Sequence, residues 1–342
     1  MNLLESIYYC FYLKRRRRFE VLSHARVAPE LSCKIISIGN ITTGGTGKTP
    51  AVQWLAHLLQ AQDKRVAVVA RGYGGRLSQA GAIVSNGQQV LLNAADAGDE
   101  PVLHAKALPG VPVVIGRDRA AAVQMAVQQF GTEIVILDDG FQYWSLPRDL
   151  DVVLLDARRP FANGRLLPSG HLREPPLALR RADTLLLTRS DLATERQRAT
   201  ARANIEKITP APLFEATHAP VALRDESNGS TVALKSLHSA PICAVSALAD
   251  NEAFCTSLQA CGAQVLMQVG RRDHHRWREA EVQYIAARAR ARGAEAIVTT
   301  EKDAVKMKAD WVQPLPLWSL VIELRIADEA ALQAFILNRL QV

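Results

Sequence analysis

The sequence has few cysteines and no cysteine motif. Its 342 residues include five cysteines, an odd number, and none of them form a CxxC pair; they are Cys10, Cys33, Cys243, Cys255 and Cys261. A secreted disulfide framework or a structural zinc site would need paired cysteines at regular spacings. We therefore expect reduced thiols in a protein of the cytosol.

The sequence also lacks a long, uncharged apolar segment. A transmembrane helix needs roughly 20 apolar residues, and the apolar stretch near the start of the chain is shorter and is interrupted by Glu5. A secretory signal carries its positive charges before its apolar region, whereas here the basic run follows that region. Neither a membrane span nor a secretory signal is predicted.

Positive charge is in excess, but the excess is local. The net charge is +7, and five of the cations are consecutive, from Lys14 to Arg18. One short basic patch favours an anionic surface as partner over a nucleic-acid groove. With 48% hydrophobic and 22% charged residues, the chain can form a globular core, and its length indicates two domains.

The first 20 residues predict an amphipathic helix. Its apolar side chains recur one turn apart, at Leu3, Leu4, Ile7, Tyr8, Phe11 and Tyr12. Such a helix can lie in the headgroup layer of a membrane, where each cation facing anionic lipid contributes on the order of 1 kcal/mol. In the alternative interpretation, Leu3, Ile7 and Phe11 pack on the protein's own core and the basic run is a solvated face.

A glycine-rich loop follows a predicted buried strand. The strand KIISIGN covers residues 34–40, and the segment TTGGTGKTP covers residues 42–50. Backbone N–H groups in such a loop bind phosphates, Lys48 can reach the β and γ phosphates, and Thr49 can ligate Mg²⁺. The strict motif has glycine at position 42, so the match is partial, and a glycine turn followed by a surface lysine is the alternative. The residues predicted to bind ATP are Thr42, Thr43, Gly44, Gly45, Thr46, Gly47, Lys48 and Thr49.

A pair of acids ends another buried strand. The run EIVILDDG, residues 133–140, ends in Asp138 and Asp139. Ligands bind at the carboxyl ends of strands in parallel sheets, and two carboxylates there are costly unless a cation compensates them. We interpret the pair as metal ligands, and a helix-capping role is the alternative.

The rest of the chain alternates between strand and helix patterns. Strands are predicted at 66–70, 111–115, 152–156 and 184–187, and then a linker around Pro210, Pro212 and Pro220. A second set follows, with strands at 242–247, 264–269, 296–300 and 315–324 and helices near 252–259 and 276–292. The pattern predicts an α/β protein: a P-loop NTPase-like, mostly parallel sheet and a second, smaller α/β domain. The predicted units are a membrane-surface helix (1–20), a P-loop nucleotide-binding domain (21–225) and a smaller C-terminal α/β domain (226–342).

Six motifs in fixed order make the chain resemble the tetraacyldisaccharide 4'-kinase family of lipid A biosynthesis. They are GGTGKTP (44–50), RGYGG (71–75), GDEP (98–101), LDDGFQ (137–142), LREP (172–175) and TTEKDAVKM (299–307). The resemblance implies transfer of the γ-phosphate of ATP, with Mg²⁺, to the 4'-hydroxyl of a tetraacylated glucosamine disaccharide 1-phosphate. It also implies a peripheral, monotopic position at the cytoplasmic face of the inner membrane. Neither a nucleic-acid partner nor an obligate protein partner is expected.

The resemblance also implies roles for individual residues. Asp99 matches the family's catalytic base, paired with His274 or, less favourably, His275 of the second domain. Lys48 and Thr49 match the phosphate-loop lysine and its metal-binding hydroxyl, while the candidate metal ligands are Thr49, Glu100, Asp138 and Asp139. Arg119 and Arg173 match positions that contact phosphate. Closure of the two domains would bring His274 to Asp99, although a capping or surface role for this histidine is also open.

A nucleotide switch is the competing hypothesis. A membrane-associated P-loop ATPase or GTPase would act through partner binding and would hydrolyse nucleotide without an acceptor. Thr188-Arg189-Ser190-Asp191 follows an apolar strand and loosely resembles a guanine-binding [NT]KxD signal, but it lacks the lysine.

Overall fold

The computed structural model describes residues 2–25, 32–248 and 250–342, and for residues 19–25 it describes the backbone alone. Met1, the first residue of the predicted amphipathic segment, lies outside this range. The strands are β1 (Lys34–Asn40), β2 (Val66–Ala70), β3 (Ala82–Asn86), β4 (Pro112–Ile115), β5 (Ile134–Asp138), β6 (Leu150–Asp156), β7 (Thr184–Thr188), β8 (Leu213–Asp225), β9 (Thr231–Ala233), β10 (Pro241–Ala247), β11 (Gln264–Arg271), β12 (Ala296–Thr300) and β13 (Leu317–Ile326). The helices are α1 (Leu3–Ala25), α2 (Lys48–Gln60), α3 (Ala94–Ala97), α4 (Asp99–Ala107), α5 (Arg119–Phe130), α6 (Glu195–Glu206), α7 (Asn251–Ala260), α8 (Glu279–Ala291), α9 (Glu301–Ala304) and α10 (Glu329–Leu340).

One curved sheet runs through both halves of the chain. Its strand order is β11-β10-β12-β13-β8-β7-β6-β1-β5-β2-β4-β3, with β9 paired to β8. Adjacent strands are parallel except at β3–β4, β13–β8 and β8–β9. The mostly parallel α/β fold predicted from the sequence is confirmed, because buried parallel strands have continuous apolar sequences.

The linker predicted around Pro210, Pro212 and Pro220, and then Asn228 and Gly229, is wrong where it covers Pro220. Residues 213–225 form β8, which first pairs in parallel with β7 and then antiparallel with β13. Pro220 is accommodated opposite Ile322, where the register of the ladder shifts by one residue. The two halves therefore share a strand, and the division at residues 225 and 226, between β8 and β9, stays a prediction.

Helices cover both faces of the first half of the sheet. On one face, Leu55 of α2 packs with Ile36 of β1, and the same cluster includes Leu332 and Ile336 of the C-terminal helix α10. On the other face, Val123 of α5 packs with buried residues of β2 and β5. Each fully buried Leu or Ile stabilises the fold by roughly 1.5–3 kcal/mol. The last helix of the chain thus contributes to the core beneath the glycine-rich loop.

Helix α1 attaches to the body through its polar and tyrosine side chains. Glu5 is buried and forms an ion pair with Arg165 at 2.9 Å. The Tyr8 hydroxyl donates to the carbonyl of Arg173 at 2.8 Å, and the hydroxyl of the buried Tyr12 donates to Glu174 at 3.1 Å. Tyr8 and Tyr12 therefore face the protein, which corrects the single apolar stripe predicted from the sequence.

The outward face of α1 is apolar. Leu3 is 76% exposed and Phe11 69% exposed, and Leu4 and Ile7 are exposed as well. The interpretation that places Leu3, Ile7 and Phe11 in the protein's own core is therefore wrong. Within the described residues, no helix combines the length and the apolar character needed to cross a bilayer.

Candidate active site

The glycine-rich loop connects β1 to α2 and is held in place by hydrogen bonds. The Asn40 amide donates to the Thr46 hydroxyl at 3.0 Å, and the hydroxyl of Thr188 on β7 donates to the Thr46 carbonyl at 2.8 Å. On the opposite side, the N–H of Thr43 donates to the carbonyl of His171 at 2.7 Å. These hydrogen bonds order the loop from both sides, and an ordered loop loses less conformational entropy when it binds a ligand.

Gly47 is the N-cap of α2 and can only be glycine. Its φ is +86°, and a Cβ at this position would overlap the imidazole of His218 on β8. Burial, together with Arg189, lowers the pKa of His218 to about 4, so this ring is neutral at physiological pH. The helix N-terminus that follows directs its dipole and its free N–H groups toward the loop, as an anion site requires.

Lys48, Asp139 and Arg173 form a charged cluster at the mouth of the loop. The Lys48 ammonium lies 3.5 Å from the Asp139 carboxylate, and the Arg173 guanidinium donates to the same carboxylate at 2.8 Å. Burial raises the pKa of Asp139, but the two cations outweigh burial and hold that pKa at about 2. Asp139 is therefore ionised, and both predicted phosphate-binding cations lie beside it.

Asp138, the last residue of β5, is buried and only half satisfied. One carboxylate oxygen, Oδ2, lies 3.2 Å from Nε2 of His104, while Oδ1 is buried and has no hydrogen-bond partner among the described residues. Burial, and the charge of Asp138, raise the pKa of Glu100. Two acids and an orphaned carboxylate oxygen in one place are a region where a cation would be stabilised.

The donor set fits Mg²⁺ in a nucleotide complex but not a free-standing metal centre. In the described part of the chain, no three carboxylate, histidine or cysteine side chains form a cluster that could hold a metal by themselves. Mg²⁺ usually keeps several waters and takes one or two carboxylates plus phosphate oxygens. Thr49, at the start of α2, and the orphaned oxygen of Asp138 supply oxygen ligands of that kind.

Asp99 and His274 meet across the two halves of the chain. Asp99 begins α4 and is 6% exposed, and its Oδ2 lies 3.1 Å from Nδ1 of His274. Burial raises the pKa of Asp99, but the hydrogen bond from His274 and two nearby lysines outweigh burial and hold it at about 2. The bond to Asp99 raises the pKa of His274, against the effect of burial. The contact joins a residue of the first half of the chain to one of the second half.

His275 points elsewhere. Its Nε2 lies 2.9 Å from Glu281, and its ring packs edge-on against Trp277. His274, by contrast, is in a left-handed backbone conformation, with φ of +62°, and its ring lies 5.3 Å from that of Tyr73 in the RGYGG motif. Of the two candidate histidines, the structure brings His274 to Asp99.

The sequence analysis missed two lysines in the TTEKDAVKM motif. The Lys302 ammonium lies 3.3 Å from Nε2 of His274 and 3.6 Å from Glu100, and that of Lys306 lies 3.7 Å from Asp99. Asp303 anchors the segment, since it is fully buried and accepts from the N–H of Ala247 at 2.8 Å. The motif itself was the available signal, because charged residues at buried strand ends usually serve a site.

Arg119, the other predicted phosphate ligand, lies on the same edge of the sheet. Its guanidinium donates to the Gly116 carbonyl, packs 5.8 Å from the Tyr143 ring centre, and has a buried Nε without a partner among the described residues. Burial lowers the pKa of Arg119, although the charge of Asp138 acts in the opposite direction. The structure therefore brings all the predicted side chains to one edge, formed by the carboxyl ends of β1, β2, β4 and β5.

Comparisons with known proteins agree with this geometry. The profile of a family described as tetraacyldisaccharide-1-P 4'-kinase matches residues 2–341. A protein named tetraacyldisaccharide 4'-kinase from Syntrophus aciditrophicus is 40% identical over 91% of this chain and 85% of its own length. Another of that name, from Geobacter sulfurreducens, is 40% identical over 93% of this chain and 88% of its own length. A crystal structure of LpxK from Aquifex aeolicus in complex with ATP is 30% identical, with a TM-score of 0.78, and covers 98% of this chain and 96% of that one.

Proposed function

Because the chain belongs to the tetraacyldisaccharide-1-P 4'-kinase family, we propose a division of labour among its site residues in phosphate transfer. It is an ATP-dependent kinase of lipid A biosynthesis, so the nucleotide-switch hypothesis is set aside. The reaction moves the γ-phosphate of ATP to the 4'-hydroxyl of a tetraacylated glucosamine disaccharide 1-phosphate. Such a transfer depends on positioning and charge neutralisation more than on covalent chemistry.

Asp99 is the proton acceptor for the sugar hydroxyl. The observation that carries this assignment is the 3.1 Å contact between Asp99 and His274, which two separate segments of the fold build around a buried carboxylate. Asp99 accepts the hydroxyl proton as the oxygen attacks the γ-phosphorus in line, and the P–O bond to ADP breaks. His274 is a positioning residue, because its hydrogen bond to Oδ2 orients the carboxylate. The other oxygen, Oδ1, accepts from the N–H of Glu100 and keeps a second lone pair for the sugar hydroxyl.

The loop residues 42–49 hold the triphosphate. Backbone N–H groups and the helix dipole of α2 bind its oxygens, and Lys48 and Arg173 neutralise the charge that develops on the transferred phosphoryl group. Both cations are paired with Asp139. Since that cluster keeps the cations ordered, they are available at the mouth of the loop when ATP binds. Arg119 provides a further cation for phosphate at the same edge.

Mg²⁺ fits the residues beside the loop. Thr49, Asp138, Asp139 and Glu100 are the side chains that would hold it. When bound, the ion would neutralise the β and γ phosphate oxygens. The orphaned oxygen of Asp138 supports this assignment, since a buried carboxylate oxygen without a donor is stabilised by a cation.

The lipid acceptor and the exposed surface of α1 support a peripheral position at the cytoplasmic face of the inner membrane. Leu3, Leu4, Ile7 and Phe11 form an exposed apolar strip, and the basic run from Lys14 to Arg18 continues the same helix. An apolar strip beside clustered cations is the arrangement of a helix lying in an anionic lipid surface. The lipid A disaccharide precursor, whose acyl chains stay in the bilayer, would then meet the site from that side.

A kinetic test separates these roles. In Asp99→Asn, which keeps the size of the side chain but cannot accept the proton, we expect kcat to fall by about 10²–10⁴-fold. The affinity for ATP, measured by calorimetry, should be unchanged, because Asp99 does not belong to the loop. In Lys48→Ala both quantities should worsen.

The two outcomes that would contradict the assignment are distinct. Wild-type turnover in Asp99→Asn would remove Asp99 as the base. Wild-type transfer by Lys48→Ala would remove the loop as the ATP site. His275→Gln is the matched control for the histidine, since His275 pairs with Glu281, and it should retain turnover that His274→Gln loses.

A further inference from the structure

His104 is a fully buried histidine that makes one polar contact. It lies on α4, five residues after Asp99, and its Nε2 is 3.2 Å from Oδ2 of Asp138, which is 3% exposed. Its other ring nitrogen, Nδ1, is buried and has no hydrogen-bond partner among the described residues. Among the described residues, the imidazole of His104 thus has one polar contact, the carboxylate of Asp138. Its role in the structure is therefore to hold that carboxylate.

The contact has one group that can donate. A carboxylate oxygen accepts hydrogen bonds, so the N–H at Nε2 of His104 is the donor to Oδ2 of Asp138. The same bond fixes the rotation of the carboxylate. Asp138 is then left with one oxygen occupied and one oxygen, Oδ1, buried and unpartnered.

We infer that His104 is a positioning residue for the metal, which orients Asp138 so that Oδ1 is available to Mg²⁺. The inference rests on the magnesium site proposed above. Side chains that hydrogen-bond to a metal-binding residue affect the affinity for the metal. Their loss typically weakens metal binding by about 10–100-fold. Burial, and then the charge of Asp138, raise the pKa of the nearby Glu100, which shows that negative charge is unfavourable in this region without a cation.

The inference can be tested on the full-length protein without measuring turnover. Mn²⁺ replaces Mg²⁺ as the probe, and its binding in the presence of the non-hydrolysable analogue AMP-PNP is followed by electron paramagnetic resonance. His104→Phe fills the buried space but removes the donor, and we expect Mn²⁺ to bind about 10–100-fold more weakly. His104→Gln is the matched control, because its terminal amide can place an N–H near the position of Nε2; its Mn²⁺ affinity should stay within about threefold of wild type.

Each outcome distinguishes the inference from the proposed site. If Asp138→Asn leaves Mn²⁺ binding unchanged, the magnesium site is wrong. If Asp138→Asn weakens binding but His104→Phe does not, the role of His104 alone is overturned. Equal weakening by His104→Phe and His104→Gln would also overturn it, because a packing defect would then explain both. Should thermal unfolding show that His104→Phe is not folded, His104→Leu serves in its place.

Discussion

Asp99 and His274 are 175 positions apart in the chain, yet they form the central contact of the site. Neither residue is distinctive in sequence: Asp99 lies in a short GDEP turn and His274 next to a second histidine. Their pairing was predicted only because the order of six motifs resembles a known family. Spacing arguments cannot find a contact between two segments whose distance is set by the whole sheet.

The pair predicts a pH dependence of stability. The bond to Asp99 raises the pKa of His274 above the value of about 6.5 that an unfolded histidine has. The contribution of the raised His274 pKa to the free energy of unfolding is therefore complete below about pH 6.5 and is lost as the pH rises through the raised value. In Asp99→Asn, we expect this loss to be smaller. Urea unfolding of both proteins over a pH series measures it, and a constant difference between them across that interval would contradict the prediction.

Two other residues of the site were not predicted from the sequence, and the reason is physical. His104 and Lys306 touch the site only because their elements pack against β5 and α4. An isolated histidine in a sequence is more often structural or solvated, so nothing in the local pattern marks His104, whereas Lys306 lies in the TTEKDAVKM motif, which was an available signal. Lys48 and the Asp138–Asp139 pair, by contrast, could be predicted. They follow or end apolar runs that the sequence marks as buried strands, and ligands bind at the ends of such strands.

Among the elements, the strands with continuous apolar residues were predicted well. β1 and β12 have the predicted bounds, and β5 begins and ends inside the predicted run. β8 was missed because Pro212 and Pro220 are typical of loops. Pro212 lies just before the first residue of the strand, and Pro220 lies where the register of the antiparallel ladder shifts. The strand is therefore stabilised by pairing partners that its own sequence does not indicate.

Helix α1 is the element for which the sequence left two readings. Its two faces serve different surroundings: Tyr12 and Glu5 attach it to the body, while Ile7 and Phe11 are exposed. An alternating set of apolar and aromatic residues cannot show which face the protein covers, because tyrosine suits both surroundings.

The exposed strip of α1 predicts lipid binding. In a double variant, Ile7→Ser with Phe11→Ser, we expect binding to vesicles containing anionic phospholipid to weaken by at least about tenfold, since burying each such side chain contributes roughly 1.5–3 kcal/mol. Vesicle flotation measures the bound fraction. Leu192→Ser is the matched control, because Leu192 is also exposed but lies far along the chain in another segment. Equal binding by the double variant and wild type would exclude α1 as the lipid contact.

On the scale of the molecule, the C-terminal helix α10 packs in the same core as β1 and α2. Leu332, Ile336 and Leu340 of α10 are buried in the same cluster as Ile36 and Leu55. The amphipathic pattern of α10 does not say which half of the protein receives it. The core of the nucleotide-binding half is therefore built from both ends of the described sequence.

This arrangement predicts that α10 stabilises the loop-bearing half. Ile336→Ala should lower the free energy of unfolding by about 2–5 kcal/mol, through lost burial and the cavity left behind. Asn338→Ala, on the exposed side of the same helix, should change it by less than about 0.5 kcal/mol. Urea unfolding followed by tryptophan fluorescence measures both. A value near zero for Ile336→Ala would show that α10 is dispensable for this core.

The strand β8 has a mechanical consequence. This strand hydrogen-bonds to β7 in one half and to β13 in the other. The two halves therefore cannot separate as independent bodies without breaking hydrogen bonds between strands. Relative motion of the halves must instead be a twist of β8. The twist is least opposed at Pro220, which has no N–H to donate to the ladder and lies where the register shifts opposite Ile322.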